Sequence, residues 1–308
     1  MSVVFWKELA DHFGSRRFAI LFILICVIGM ASVYTAAQAI RGAPEEFIFL
    51  SLFTSHGGAL PSFLSFLSFF GPLIGVMLGF DAINGEYSRR TISRVLAQPI
   101  FRDSWINGKF LAGLATVAIT VISIILVILG LGIRMLGFGP SGEELWRIGI
   151  FWGISVIYIG FWLGLGILFS VVFKQTTSSA LASIAAWLLF TFFIYMLAGL
   201  IADQMAPLGP KSGPEVWVKH GRIEDMVMRI SPATLFAEAT RAILIPNYRG
   251  LSLAAMLSEA EAEIPTNPLP IGQSLLLVWP QIVGLIALTG VCFAISYAIF
   301  MRQEIRST

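Results

Sequence analysis

The chain has 308 residues, of which 57% are hydrophobic and only 12% are charged, with a mean hydropathy of +0.84 and a formal net charge of +2. Soluble domains carry about 25% charged residues, so this composition excludes an ordinary soluble protein and predicts an all-α polytopic membrane protein. The cysteines are Cys26 and Cys292, both inside apolar runs, which excludes a disulfide framework or a cysteine-based metal site.

The first 17 residues predict an amphipathic helix in the membrane interface. Phe5, Trp6, Leu9 and Phe13 can share one face, with charged side chains largely opposite. Residues 18–40 follow Arg16 and Arg17 and could form a cleaved signal peptide. We expect them to be kept as a span, because the apolar run is longer than a usual signal-peptide core.

Six runs are long enough to cross a bilayer, which takes roughly 20 apolar residues. They contain no Asp, Glu, Lys or Arg and comprise residues 18–40, 60–80, 110–133, 148–173, 180–201 and 275–301. With both termini in the cytoplasm, the inner segments hold eleven basic and six acidic residues, and the outer segments hold nine and twelve. This charge bias predicts that orientation, in the inner membrane of the cell.

Residues 202–274 form the largest predicted outer loop. Within it, residues 222–230 place apolar side chains at helical spacing, and Ser231-Pro232 predicts an N-cap and first turn for a second helix over 232–244. We expect two amphipathic helices that lie on the outer membrane surface or cap the bundle.

Motifs for chemistry are missing from the sequence. The Gly-Lys pair Gly108-Lys109 is no phosphate-binding loop, because Asp103 replaces the first glycine and Phe110 replaces the Ser or Thr. We therefore expect no catalytic residue, no metal and no cofactor on this chain, and no nucleic-acid partner. Spans without charges also argue against a proton-coupled secondary transporter, which stays an alternative together with a membrane enzyme or assembly scaffold.

Glycines recur four residues apart in the second predicted span, at Gly71, Gly75 and Gly79. This spacing lets helix backbones approach closely. Packing within the chain is one interpretation, and use in a dimer interface or a moving gate is the other.

Residues 81–109 form the most charged connection. Gly85 ends the helix that leaves the second span, Thr91 can cap a short helix, and Pro99 ends it. A loop that only fixes the membrane orientation through its positive charge needs arginines, but it does not need residues that begin and end a short helix. The pattern therefore favours a rigid cytoplasmic element that docks a partner.

This segment resembles the conserved stretch between spans two and three of ABC-2 type transporter permeases. The resemblance lies in the order of Asp81, Glu86, Thr91, Leu96, Pro99, Arg102, Gly108 and Lys109. The amphipathic start, six spans and Ser-Pro helix fit the same plan, similar to the copper-site maturation and sodium or drug export permeases. Arg90 stands where the family often has glycine.

The resemblance implies a permease subunit of an exporter, and residues 81–109 would hold its coupling helix. A separate P-loop ATPase subunit would carry ATP and Mg²⁺, and the permease would form a homodimer or pair with a related second permease in the lipid bilayer. The residues expected to dock the ATPase are Glu86, Arg89, Arg90, Thr91, Arg94, Pro99 and Arg102. The cargo would be hydrophobic or amphipathic, and a mechanical or assembly role without bulk transport is the alternative.

Overall fold

The computed structural model describes residues 2–40, 47–55, 60–88, 101–209, 213–247 and 268–303. These residues form helices and connecting turns, with no β-strand among them. The all-α prediction is confirmed for this part of the chain.

The first six helices in chain order are α1 Ser2–Gly14, α2 Arg16–Ile40, α3 Ile48–Thr54, α4 Phe63–Gly79, α5 Asn84–Ser88 and α6 Arg102–Leu136. The rest are α7 Gly142–Val172, α8 Thr176–Leu188, α9 Ile194–Met205, α10 Pro214–Met228, α11 Pro232–Leu244 and α12 Ile271–Arg302. A π-helical turn, Leu189–Phe193, joins α8 to α9 into one rod.

Among the described residues, five helical rods are long and apolar enough to cross a membrane: α2, α6, α7, the α8–α9 rod and α12. The second predicted span falls in α4, whose 17 residues are apolar but fewer than the other rods have. Five of the six predicted spans therefore coincide with membrane-length helices. The remaining one, the second predicted span at residues 60–80, is not confirmed.

Helix α7 lies at the centre of the bundle. In its most apolar stretch 78% of the residues are buried, against 11% in the α8–α9 rod and in α12. It packs against α4, α6, α11 and α12. A capping box opens it, because Ser141 accepts from the Glu144 amide and Glu144 accepts from the Ser141 amide.

Helix α1 meets the bundle with its polar face rather than its aromatic one. Val4 and Glu8 are buried where α1 packs on α6, while Trp6 and Phe13 are exposed. The exposed aromatic side chains suit contact with a membrane interface, and the interfacial location of this helix stays a prediction.

The Ser-Pro prediction is confirmed, since α11 spans Pro232–Leu244 and the Ser231 hydroxyl accepts from the Ala233 amide at 3.3 Å. The helix before it, α10, is longer than predicted and ends at Met228. Helix α11 does not lie on the surface. Phe236, Ala239 and Ile243 are fully buried, and α11 packs against α7 and α12.

Candidate functional site

A buried lysine joins three helices at one end of the bundle. Lys109, on α6, has a side chain that is only 4% exposed. Its Nζ lies 2.9 Å from Glu8 Oε1 on α1 and 2.8 Å from Glu86 Oε1 on α5. The same Nζ lies 4.9 Å from the ring centre of Trp105, one turn earlier on α6. One ammonium group thus holds α1 and α5 against α6.

Helix α5 is also fixed to the end of α7. The amides of Ile83 and Asn84 donate to Ser170 Oγ at 2.9 and 3.1 Å, and Asn84 Nδ2 donates to the Phe173 carbonyl at 3.2 Å. Free amides at a helix start need acceptors, and Ser170 supplies one from another helix. The start of the connection after α4 is therefore rigidly seated.

A second polar contact holds α1 on α6. The Thr116 hydroxyl donates to the Ala112 carbonyl at 2.8 Å, so it accepts from His12 Nδ1 at 3.0 Å. Burial lowers the pKa of His12 below its ordinary value of 6.5. The carboxylates of Glu8, Asp11 and Asp81 oppose this shift and the Lys109 charge adds to it, and the net direction is downward. His12 is thus favoured in its neutral form.

The charge on Lys109 also acts on its carboxylate partner. Burial alone would raise the pKa of Glu8, but attraction and a hydrogen bond from Lys109, with help from Lys7, hold that pKa below its ordinary value of 4.5. Glu8 is therefore ionised at neutral pH, as the ion pair requires.

A cleft of about 430 Å³ opens beside these groups. It lies between α1, the start of α2 and the end of α4, where Arg17 and Asp81 pair at 3.6 Å. Its charged lining carries both signs: Lys7, Glu8, Asp11, Arg16, Arg17, Asp81, Glu86 and Lys109. The described residues hold no group of three His, Cys, Asp or Glu side chains that could bind a metal.

The start of α6 is tied to the end of the last rod. Trp105 stacks on Phe300 with ring centres 5.2 Å apart, and Arg102 Nη1 donates to the Gln303 carbonyl at 3.2 Å. Gln303 in turn donates to the Val171 carbonyl at 2.9 Å. Both described ends of residues 81–109 are therefore bound to the core of the bundle.

The predicted docking residues divide into two groups. Glu86 and Arg102 are described, and each makes a contact within the chain, to Lys109 and Gln303. The others lie outside the described residues: Arg89, Arg90, Thr91, Arg94 and Pro99. Docking of an ATPase by this set stays a prediction.

The predicted glycine row lies at the contact between α4 and α7. A Cβ on Gly75 would stand 2.5 Å from the Ile159 carbonyl oxygen, and one on Gly79 would stand 2.6 Å from that of Leu163. Gly71 faces the Ile159 side chain at 3.2 Å. The row packs within the chain, and its use in a dimer interface or gate stays a prediction.

Sequence reasoning missed the partners of Lys109 and a second buried cation. Arg147, on α7 at the opposite end of the bundle, is fully buried. Its Nη1 donates to the Ile243 carbonyl at 2.9 Å, and its Nη2 donates to Glu143 at 2.9 Å and to the Leu269 carbonyl. The sequence placed it in an outer loop, because the apolar run begins only after it.

The arrangement at Lys109 holds α1, α5 and α6 together through buried ion pairs. A profile of the ABC-2 family transporter proteins matches residues 2–305, nearly the whole chain. The chain belongs to the ABC-2 transporter family. The resemblance inferred from the sequence is thereby confirmed.

Two curated relatives agree with this family. One is the "Probable ABC transporter permease protein NosY" of Stutzerimonas stutzeri, 26% identical over 309 residues, with 96% of each chain covered. The other bears the same name in Pseudomonas aeruginosa and is 26% identical over 309 residues, with 97% of each chain covered. This member of the ABC-2 family is thus similar along its full length to transporter permeases.

Proposed function

We propose that this ABC-2 family protein is the membrane-spanning subunit of an exporter whose ATP hydrolysis takes place on a separate P-loop ATPase. In this proposal α4 also crosses the inner membrane, which gives six spans in total, and both termini lie in the cytoplasm. The ATPase docks on residues 81–109. The structure describes residues 81–88 and 101–109 of that segment.

The fixed ends of the segment are the observation that carries the proposal. Lys109 ties it to α1 and α6, Ser170 ties it to α7, and Gln303 ties it to α12. A force applied between these ends therefore reaches four helices through short polar contacts. A loop that only fixes the membrane orientation of the chain does not require these polar contacts at both of its ends.

The outer surface supports assembly with a second permease, either another copy or a related chain. The α8–α9 rod buries only 11% of its most apolar stretch and exposes Phe192, Tyr195 and Met196. An apolar surface of this kind is covered by lipid or by another membrane helix. The apolar rods also suit a hydrophobic or amphipathic cargo.

The test reverses charge in the docking segment. The double variant Arg90→Glu and Arg94→Glu is expected to lose both co-purification with a P-loop ATPase encoded beside this chain's gene and the ATPase stimulation measured in the complex. Arg134→Glu, an exposed residue near the other end of α6, is the matched control and keeps both. Unchanged assembly and stimulation in the double variant would overturn the docking role.

A further inference from the structure

The turn between α10 and α11 reaches the middle of the bundle. Ser231 Oγ donates to the Phe190 carbonyl at 2.7 Å, and Thr234 Oγ1 donates to the Tyr195 hydroxyl at 3.1 Å. Phe190 is the fifteenth residue of the 30-residue rod Thr176–Met205, so it lies about 21 Å from either end. The two helices form a hairpin whose tip sits at mid-depth.

A charged pair lies on this hairpin. Arg229 Nε donates to both oxygens of Glu238, at 3.0 and 3.1 Å, and Gln281 Nε2 on α12 donates to Glu238 Oε2 at 2.9 Å. Gln281 is the eleventh residue of α12, about 15 Å from the start of that helix. Gln281 therefore lies about a third of the way along the 32 residues of α12, between the start and the middle of the helix and within the roughly 30 Å of a bilayer core.

The two ends of this pair differ in exposure. The Glu238 side chain is 10% exposed and Gln281 is 5% exposed, but the Arg229 side chain is 40% exposed. A guanidinium facing hydrocarbon at this depth costs several kcal/mol, so the surface beside Arg229 meets water or an anion. Ile230, the next residue in the chain, is 58% exposed and so can carry a reporter close to Arg229 in sequence.

Hydrogen-bonding capacity is left over on both sides of Glu238. Arg229 uses only Nε in the pair, and among the described residues its two Nη groups make no hydrogen bond. Gln281 Oε1 is buried and has no hydrogen-bond partner within the same part of the chain. Buried amide oxygens are normally satisfied, so this acceptor calls for a donor such as water, whereas the donors that can face an anion are the two Nη groups of Arg229.

We propose that Arg229, oriented by Glu238 and Gln281, binds the anionic headgroup of an amphipathic molecule within the bundle. A phosphate or carboxylate accepts two parallel N–H bonds from the Nη groups, which is the geometry that a guanidinium favours. The apolar tail lies along the surrounding helices. As a cargo site, this deepens the proposed function and rests on it.

The first test measures whether water and anions reach this surface. Ile230→Cys, in a Cys26→Ala and Cys292→Ala background in nanodiscs of phosphatidylcholine, is expected to react roughly tenfold faster with an anionic membrane-impermeant methanethiosulfonate than with a cationic one. Ile286→Cys, 51% exposed and at the sixteenth of the 32 residues of α12, is the hydrocarbon control and reacts with neither. No reaction at Ile230→Cys, or no preference for the anion, would overturn the proposal.

Variants of Arg229 separate charge from structure. Arg229→Gln is expected to abolish the anion preference, and Arg229→Lys keeps it. Arg222→Gln, an exposed arginine two turns earlier on α10, is the matched control and keeps the preference. Equal loss in both glutamine variants would show a general surface charge and contradict a specific site.

The second test measures binding of dodecyl phosphate, with dodecyl maltoside as the uncharged comparison. Arg229→Gln is expected to weaken dodecyl phosphate binding about tenfold or more, and Arg222→Gln leaves it unchanged. Adding phosphatidylglycerol to the nanodisc distinguishes the sources: competition assigns the site to lipid headgroups, and none assigns it to cargo. Binding unaffected by Arg229→Gln refutes both. These measurements use the permease alone, so failure of ATPase coupling leaves them intact.

Discussion

Lys109 holds two carboxylates from different helices, and this explains why a charge is buried there. Removing ions from water is costly, so a buried pair seldom stabilises a fold more than apolar side chains would. Its value lies in geometry, because carboxylates from α1 and α5 both lie within 2.9 Å of one ammonium group on α6. The residue therefore positions α1 and α5 relative to α6.

Replacing Lys109 with methionine keeps most of the volume but leaves Glu8 and Glu86 without their shared cation. We expect the free energy of unfolding in an SDS titration to fall by about 3–5 kcal/mol, as for other broken buried pairs. Lys7→Met is the control, because Lys7 also pairs with Glu8 but its side chain is 59% exposed, and it should cost less than about 1 kcal/mol. Equal effects would contradict the central role of Lys109.

His12 predicts a pH dependence of the contact between α1 and α6. Its pKa is lowered in the folded protein, so the docked state favours neutral histidine, and docking weakens as pH falls from about 6.5 toward the lower folded value. A nitroxide on Ala10→Cys, on the exposed side of α1 and in a background without the native cysteines, should become more mobile between about pH 7.5 and pH 5.5. His12→Gln should remove most of this change. The Glu8 contribution falls outside that window, because its ordinary pKa is 4.5 and the folded value is lower.

At the scale of whole elements, the contact between α4 and α7 depends on the absence of side chains. A Cβ on Gly75 would lie 2.5 Å from the Ile159 carbonyl oxygen and 2.8 Å from the Leu163 amide nitrogen, both in backbone that cannot turn aside. The two helices would have to separate. In the same row, a Cβ on Gly71 would meet only side-chain atoms, those of Ile159 at 3.2 Å and of Tyr158 at 3.7 Å, which can shift more easily than backbone.

Gly75→Ala should therefore lower the unfolding free energy by about 1–3 kcal/mol, despite the higher helix propensity of alanine. Gly153→Ala is the matched control on α7, because nothing lies within 4 Å of its added Cβ. That variant should be neutral or stabilising by up to about 1 kcal/mol. SDS titration of both proteins checks the pair, and a stabilised Gly75→Ala would show that the contact is loose.

Local signals explain what the sequence predicted about the elements. The Ser231-Pro232 pair defines a helix start through its own hydroxyl and ring, so the bounds of α11 followed from neighbouring residues. Its depth did not, because the hydroxyl also bonds Phe190, which is 41 positions away. Likewise the amphipathic pattern of α1 was visible, but the burial of its polar face depends on Lys109, 101 positions from Glu8.

At the scale of the molecule, polar contacts hold both ends of an apolar bundle. Lys109 joins α1, α5 and α6 at one end. At the other end Arg147 joins α7 to the end of α11 and to Leu269, two residues before α12 begins. The 23 residues from Arg147 to Ser170 on α7 separate these ends by roughly 35 Å. The sequence could predict the rods, because hydropathy is local, but not these contacts between distant segments.

This arrangement predicts that the two ends contribute independently to the stability of one cooperative bundle. Arg147→Met leaves the Glu143 carboxylate and two carbonyl groups without their donor, and we expect it to cost about 3 kcal/mol or more. Sites this far apart with no shared partner add within about 0.5 kcal/mol, so Arg147→Met combined with Lys109→Met should lower the unfolding free energy by the sum of the single effects. SDS titration followed by circular dichroism measures this sum, and the double variant should keep a single transition. Two separate transitions would mean that the ends unfold independently, in which case a force on residues 81–109 could not be passed through α7 to the Arg147 end.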